Sequence, residues 1–143
     1  MSNMEGDMYS SIGKAIPQKD RIVYFGCILS ADACVYFEVG KRFGAANAVF
    51  KELEHVWKHA GISRRQKLIY FDACVLTNLL YGLQTCWLSE NELKRLDAAY
   101  CRFLRRILGI PSAYVSRVPN ATIYDQAGRF PARYLLMQRQ LFF

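Results

Sequence analysis

Between residues 33 and 60, apolar side chains fall at Val35, Val39, Phe43, Ala46, Phe50, Leu53, Trp57 and Ala60. Steps of three and four put them on one stripe of a helix. Ser30 or Asp32 stands where it can cap the start and Gly61 where it can end the helix, while Gly40 and Gly44 weaken it or allow a neighbour to approach closely. On the outer face Glu38 lies near Lys41 and Arg42, and Glu54 precedes Lys58 by one turn. Mixed-sign pairs at that spacing predict a solvated surface.

A second helix is predicted from Ser63 through Leu68, Phe71, Val75, Leu79 and Gly82, with further apolar residues all round it between Ala73 and Leu83. It reads as central and buried. A third begins at Ser89, with Glu92 in capping-box spacing, turns Leu93, Leu96, Tyr100, Phe103 and Ile107 inward, and stops at Gly109 before Pro111. Residues 119–126 and 131–143 predict two shorter helices. Upstream, Ile22, Val23, Tyr24 and Phe25 are β-branched or aromatic, Gly26 interrupts, and Cys27, Ile28 and Leu29 resume. That pattern suggests a bent strand or short hairpin. The fold class is therefore mainly α: a bundle of three main helices plus short C-terminal helices, with a short N-terminal β-hairpin. Residues 1–20 read as a flexible lead-in, 21–31 as the strand pair and 32–143 as the helical domain.

With 143 residues the chain suffices for one core without metal or disulfide support. Its formal charge of +7 is unevenly placed. Residues 1–60 are neutral, and the whole surplus lies downstream, which points to a phosphate-bearing or other anionic partner. The five cysteines are scattered with no Cys-x-x-Cys pair, and they read as reduced core residues. No apolar signal segment opens the sequence, and the uncharged run 73–89 is short and polar for a membrane span. The expectation is an intracellular protein, nuclear or cytoplasmic, with no membrane association.

The third helix carries Lys94, Arg95, Arg102, Arg105 and Arg106 with Asp97 as the acid among them. Arg64, Arg65 and Lys67 sit in the first turn of the second helix, where the helix dipole disfavours cations by about 0.3–1 kcal/mol each. A phosphate backbone would offset that repulsion. Arg64, Arg65, Lys67, Arg95, Arg102, Arg105 and Arg106 are thus the candidate nucleic-acid contacts. His55 and His59 share a helix face but lack a third clear ligand, so no metal site is assigned. No Ser/His/Asp set, phosphate-cradling glycine loop or Asp-Asp pair is present, and no catalytic residue is assigned.

In order, Tyr24-Phe25-Gly26, Leu79-Leu80-Tyr81-Gly82 and Leu104-Arg105-Arg106-Ile107-Leu108-Gly109-Ile110 resemble the C-terminal part of reverse transcriptases of non-LTR (LINE-type) retrotransposons. The match runs over residues 21–140. Phe25 stands for the family's Leu, Gln84 for its Glu and Cys86 for its Trp, with Trp87 one place later. The resemblance implies the end of the polymerase palm followed by the helical thumb. Tyr24, Phe25 and Gly26 would then support the primer end, and the helices would hold a template–primer duplex of RNA or DNA through its backbone. It also implies that the palm aspartates, and the Mg²⁺ they hold, belong upstream of this sequence, so that the chain is a fragment with no cofactor of its own and inert alone as a polymerase. The alternatives are a helical module that binds a protein partner or itself through the palm-facing surface, and a degenerate remnant with no selected activity.

Overall fold

The computed structural model describes Gly13, Pro17, Lys19–Tyr24, the backbone of Cys27–Ser30, and residues 35–142. The chain divides into two compact units, Met1–Cys34 and Val35–Phe143. In the first, β1 (Arg21–Tyr24) and β2 (Cys27–Ser30) form an antiparallel pair in which Arg21 faces Ser30 and Tyr24 faces Cys27. Ser30 is therefore strand, not a helix cap. Asp32, the other candidate cap, lies outside the described residues.

The second unit is helical. Its elements are α1 (Tyr36–Glu52), α2 (Glu54–Lys58), α3 (Arg64–Tyr70), a π-helical stretch (Phe71–Leu76), α4 (Thr77–Leu80), a 3-10 turn (Leu83–Thr85), α5 (Glu90–Leu108), α6 (Ala113–Ser116), α7 (Asn120–Ala127) and α8 (Ala132–Leu141). The protein is thus mainly α with a short N-terminal β-hairpin, as the periodicity predicts.

The first apolar stripe does bury Val39, Ala46, Phe50 and Trp57, but its helix is interrupted at Leu53. Across that break the Trp57 indole N–H donates to the Phe50 carbonyl at 2.9 Å, and the two rings stack at 5.0 Å. The predicted solvated face is corrected in part. Glu54 and Lys58 pair in the open at 2.8 Å, whereas Glu38 and Arg42 pair while almost fully buried, at 1% and 7% exposure. Spacing alone cannot separate these cases, because a neighbour must arrive to exclude the water.

Ser63 opens the second helical stretch with a reciprocal capping box to Gln66. The π-helical segment interrupts its α-helical register, and the Thr77 hydroxyl donates to the Asp72 carbonyl five residues back. The widened turn places Phe71, Val75, Leu76, Leu79 and Leu80 in the core together. Asp72, on the same turn, forms an ion pair with Arg129. This clasps the loop after α7 to the central helix.

α5 follows its sequence signals closely. Ser89 and Glu92 cap it reciprocally, Gly109 adopts φ +72°, and the Ile110 N–H closes onto the Arg105 carbonyl at 2.9 Å. Only glycine takes that left-handed position without strain. α7 and α8 each begin after a proline, Pro119 and Pro131. Asp97 of α5 caps α8 by accepting from the Arg133 backbone N–H at 3.0 Å and from its Nε, while Glu90 takes the same guanidinium at 3.1 Å.

The core is aromatic at its centre. Phe50 meets Trp57, Phe71 and Phe103, and Phe71 meets Tyr100, which stacks on Tyr124 at 6.2 Å. Burial raises the Tyr100 and Tyr124 phenols above their ordinary value of 10.0, with smaller contributions from Asp72 and Cys101 respectively. A group whose folded pKa is raised adds stability that is intact below its unfolded pKa and is lost as pH climbs beyond it. Urea midpoints are therefore expected to hold steady to about pH 10 and to fall above it. Tyr100→Phe, which removes a buried hydroxyl with no partner among the described residues, should flatten that fall; an unchanged alkaline slope would contradict it.

Candidate nucleic-acid interface

Arg95, Ala99, Arg102 and Arg106 follow one another at steps of four, three and four residues, about one turn each, and so lie along a single stripe of α5. That stripe faces α1. The Arg95 guanidinium carbon sits 4.6 Å from the centroid of the Tyr36 ring and 5.8 Å from that of Phe43, while that of Arg106 sits 4.7 Å from the centroid of Phe50. Contacts therefore advance along both helices in the same sense. Between them a groove of about 230 Å³ is lined by Phe43, Asn47, Ala99, Arg102, Phe103 and Arg106.

The sequence positions these side chains for separate reasons. Tyr36, Phe43 and Asn47 recur at helical spacing on α1, just beside its buried stripe. Ala99 and Phe103 are two of the buried residues of α5 and line the groove, and the small Ala99 side chain leaves it open beside Arg102. An arginine laid on an aromatic ring gains electrostatic attraction at little desolvation cost, and loses part of its rotamer freedom before any ligand arrives. Arg102 and Arg106 are exposed, Arg95 is half-buried, and none of them has an ion pair among the described residues. Glu54 lies close enough to feel Arg106, but its carboxyl is held below the usual range first by Lys58 and only then by Arg106.

The other predicted contacts divide. Arg105 belongs to the interior: it is 4% exposed, and its guanidinium donates to the Pro111 carbonyl (3.3 Å), Ser116 Oγ (3.2 Å), the Val118 carbonyl and Asn120 Oδ1 (3.1 Å). It organises the chain between α5 and α7 and is not a phosphate contact. Lys67 is likewise committed, its ammonium donating to the Trp57 carbonyl at the end of α2 at 2.7 Å. Arg64 and Arg65 are exposed in the first turn of α3, where the Ser63–Gln66 box already occupies amide donors that an anion would need. They remain available as charges, apart from the α5 stripe. Sequence reasoning placed Phe43 on the apolar stripe, where it is half-buried, and missed Tyr36 and Asn47. Their signal was their register beside the α1 stripe, but nothing in the sequence says that α5 lies against it.

Of the resemblance-derived primer residues, Tyr24 is exposed on β1, and Phe25 and Gly26 lie outside the described residues. His55 and His59 are exposed, His59 Nδ1 accepts from the Gly61 N–H, and no group of three metal-ligating side chains occurs among the described residues. No helix among them is long and apolar enough to cross a membrane. No family model, no curated protein and no solved structure matches the chain.

The division between interior and surface arginines has a measurable consequence. Arg105→Ala removes a buried guanidinium and its four hydrogen bonds, two of them to the carbonyls of Pro111 and Val118, and is expected to cost roughly 2–4 kcal/mol in urea denaturation, whereas Arg102→Ala should stay within about 0.5 kcal/mol of the parent. Equal losses would refute the assignment.

Proposed function

We propose that the helical unit binds nucleic acid through the arginine stripe of α5 and its aromatic backing on α1. It holds the phosphate backbone without reading sequence, as the thumb of a retrotransposon reverse transcriptase would. One observation carries the reading. Arg95, Arg102 and Arg106 are aligned, pre-seated on or beside aromatic rings, and without carboxylate partners among the described residues. A line of like charges costs a fold self-repulsion unless a polyanion meets it. The resemblance of residues 21–140 to the palm end and thumb of such enzymes supports the same partner. Arg64 and Arg65 add to the field that draws the polyanion in.

The role assigned is holding, not nucleotide transfer. Asp72, Asp97 and Glu90 are engaged by Arg129 and Arg133, and Glu38 by Arg42. These carboxylates serve as structural counter-charges. Polymerisation would draw its metal-binding carboxylates from a palm.

A second reading, a protein-interaction module, has its own observation. Tyr134, Met137 and Leu141 form an exposed apolar row on α8, and Met137 shares a hollow with Trp87, itself 94% exposed. Apolar surface of that kind commonly finds a partner.

Fluorescence anisotropy with a labelled RNA–DNA duplex decides between them. Binding should weaken with salt by about 0.9 log unit per log unit for each phosphate met. Arg102→Ala/Arg106→Ala is expected to weaken it further and make the slope shallower by about 1.8. Salt-insensitive binding, or none beside self-association in light scattering, would favour the second reading.

A further inference from the structure

The groove between α1 and α5 has a construction that backbone holding does not need. A phosphate is satisfied by a charge on an open surface, but here the two exposed guanidiniums flank a recess whose floor is apolar, made by Phe43, Ala99 and Phe103. The rim carries Asn47, exposed and without a side-chain hydrogen bond among the described residues. Its amide offers both a donor and an acceptor. Apolar faces with hydrogen-bonding edges describe a nucleobase. At about 230 Å³ the recess is on the scale of one planar ring and not of a base pair with its two backbones.

Arginine supplies the remaining element. The Arg106 guanidinium carbon lies over the Phe50 ring, 4.7 Å from its centroid, on an exposed side chain that can offer a cationic plane to a ligand, and Arg102 stands one turn away on the same groove. Bases that have left a helix stack on such planes and on aromatic rings, with little preference among the four because every base has a π-face. We infer that this groove takes one unstacked base of a single-stranded nucleic acid, stacked against Arg102 and Arg106, with its edge on Asn47 and a neighbouring phosphate on Arg95. The inference rests on the proposed function and sharpens it: the preferred ligand is a single strand or overhang, not a blunt duplex.

The test uses the full 143-residue chain and four labelled probes at one ionic strength: oligouridylate, oligothymidylate, an abasic oligomer with the same number of phosphates, and a blunt duplex. At least one base-bearing single strand is expected to bind about five-fold to a hundred-fold more tightly than the abasic oligomer. Arg102→Lys keeps the charge but loses the plane, and Asn47→Leu keeps the charge but loses the edge contact. Each should erase most of that difference, read as the ratio of base-bearing to abasic affinity within the same variant. Equal binding of abasic and base-bearing strands, or tighter binding of the duplex, overturns the inference while leaving backbone holding intact. Failure of all four probes to bind overturns the proposed function along with it.

Discussion

The Phe50 ring is where the helical unit is tied together. It stacks on Trp57, lies 4.9 Å from Phe103 and 6.5 Å from Phe71, and so joins α1, α2, the π-helical stretch and α5 through one buried side chain. Arg106 covers it from the solvent side. Core and candidate interface are consequently parts of one contact. The packing that excludes water from Phe50 also fixes how far α5 stands from α1, and with it the width of the groove where Arg102 and Arg106 meet Phe43 and Asn47. An aromatic ring at that depth contributes both buried area and a cation-binding face, which explains how a strongly basic helix packs against a core at all.

Charge is divided between two uses. Arg129 and Arg133 reach back to Asp72, Asp97 and Glu90 and fasten the C-terminal helices to the central pair, while Lys67 and Arg105 satisfy carbonyl groups at helix ends and loops. These cations are structural. Arg95, Arg102 and Arg106 of α5 have no ion pair among the described residues, and Arg95 and Arg106 lie on aromatic rings. Net charge therefore overstates what is available to a polyanion, and position on the helix, more than number, selects the contacts. Arg105 and Arg106 are adjacent in sequence, yet a rotation of about 100° per residue sends one inward and the other outward.

The π-helical stretch shows the same economy. Inserting it in the central helix brings Phe71, Val75, Leu76, Leu79 and Leu80 into contact with partners on several sides, and turns Asp72 toward Arg129. Side-chain donors of Thr77 and Asn78 take up carbonyls of Asp72 and Cys74 in and beside the widened turn. A strictly α-helical register would have rotated this polar clasp away from its partner.

Elements governed by local chemistry were legible in the chain itself. Ser89 and Glu92 capped α5, Gly109 ended it, Ser63 began α3, and apolar periodicity marked the buried faces, because each depends on neighbours within about one or two helical turns. The break at Leu53, the burial of Glu38 with Arg42, and the withdrawal of Arg105 and Lys67 were decided by segments far along the chain. The candidate groove belongs to this second class. Its residues come from positions 43–47 and 99–106, and a pattern on either helix alone says which face is oily or charged but not which helix it will meet. Helical periodicity is a local property of the backbone, whereas the pairing of faces follows from how the whole core excludes water.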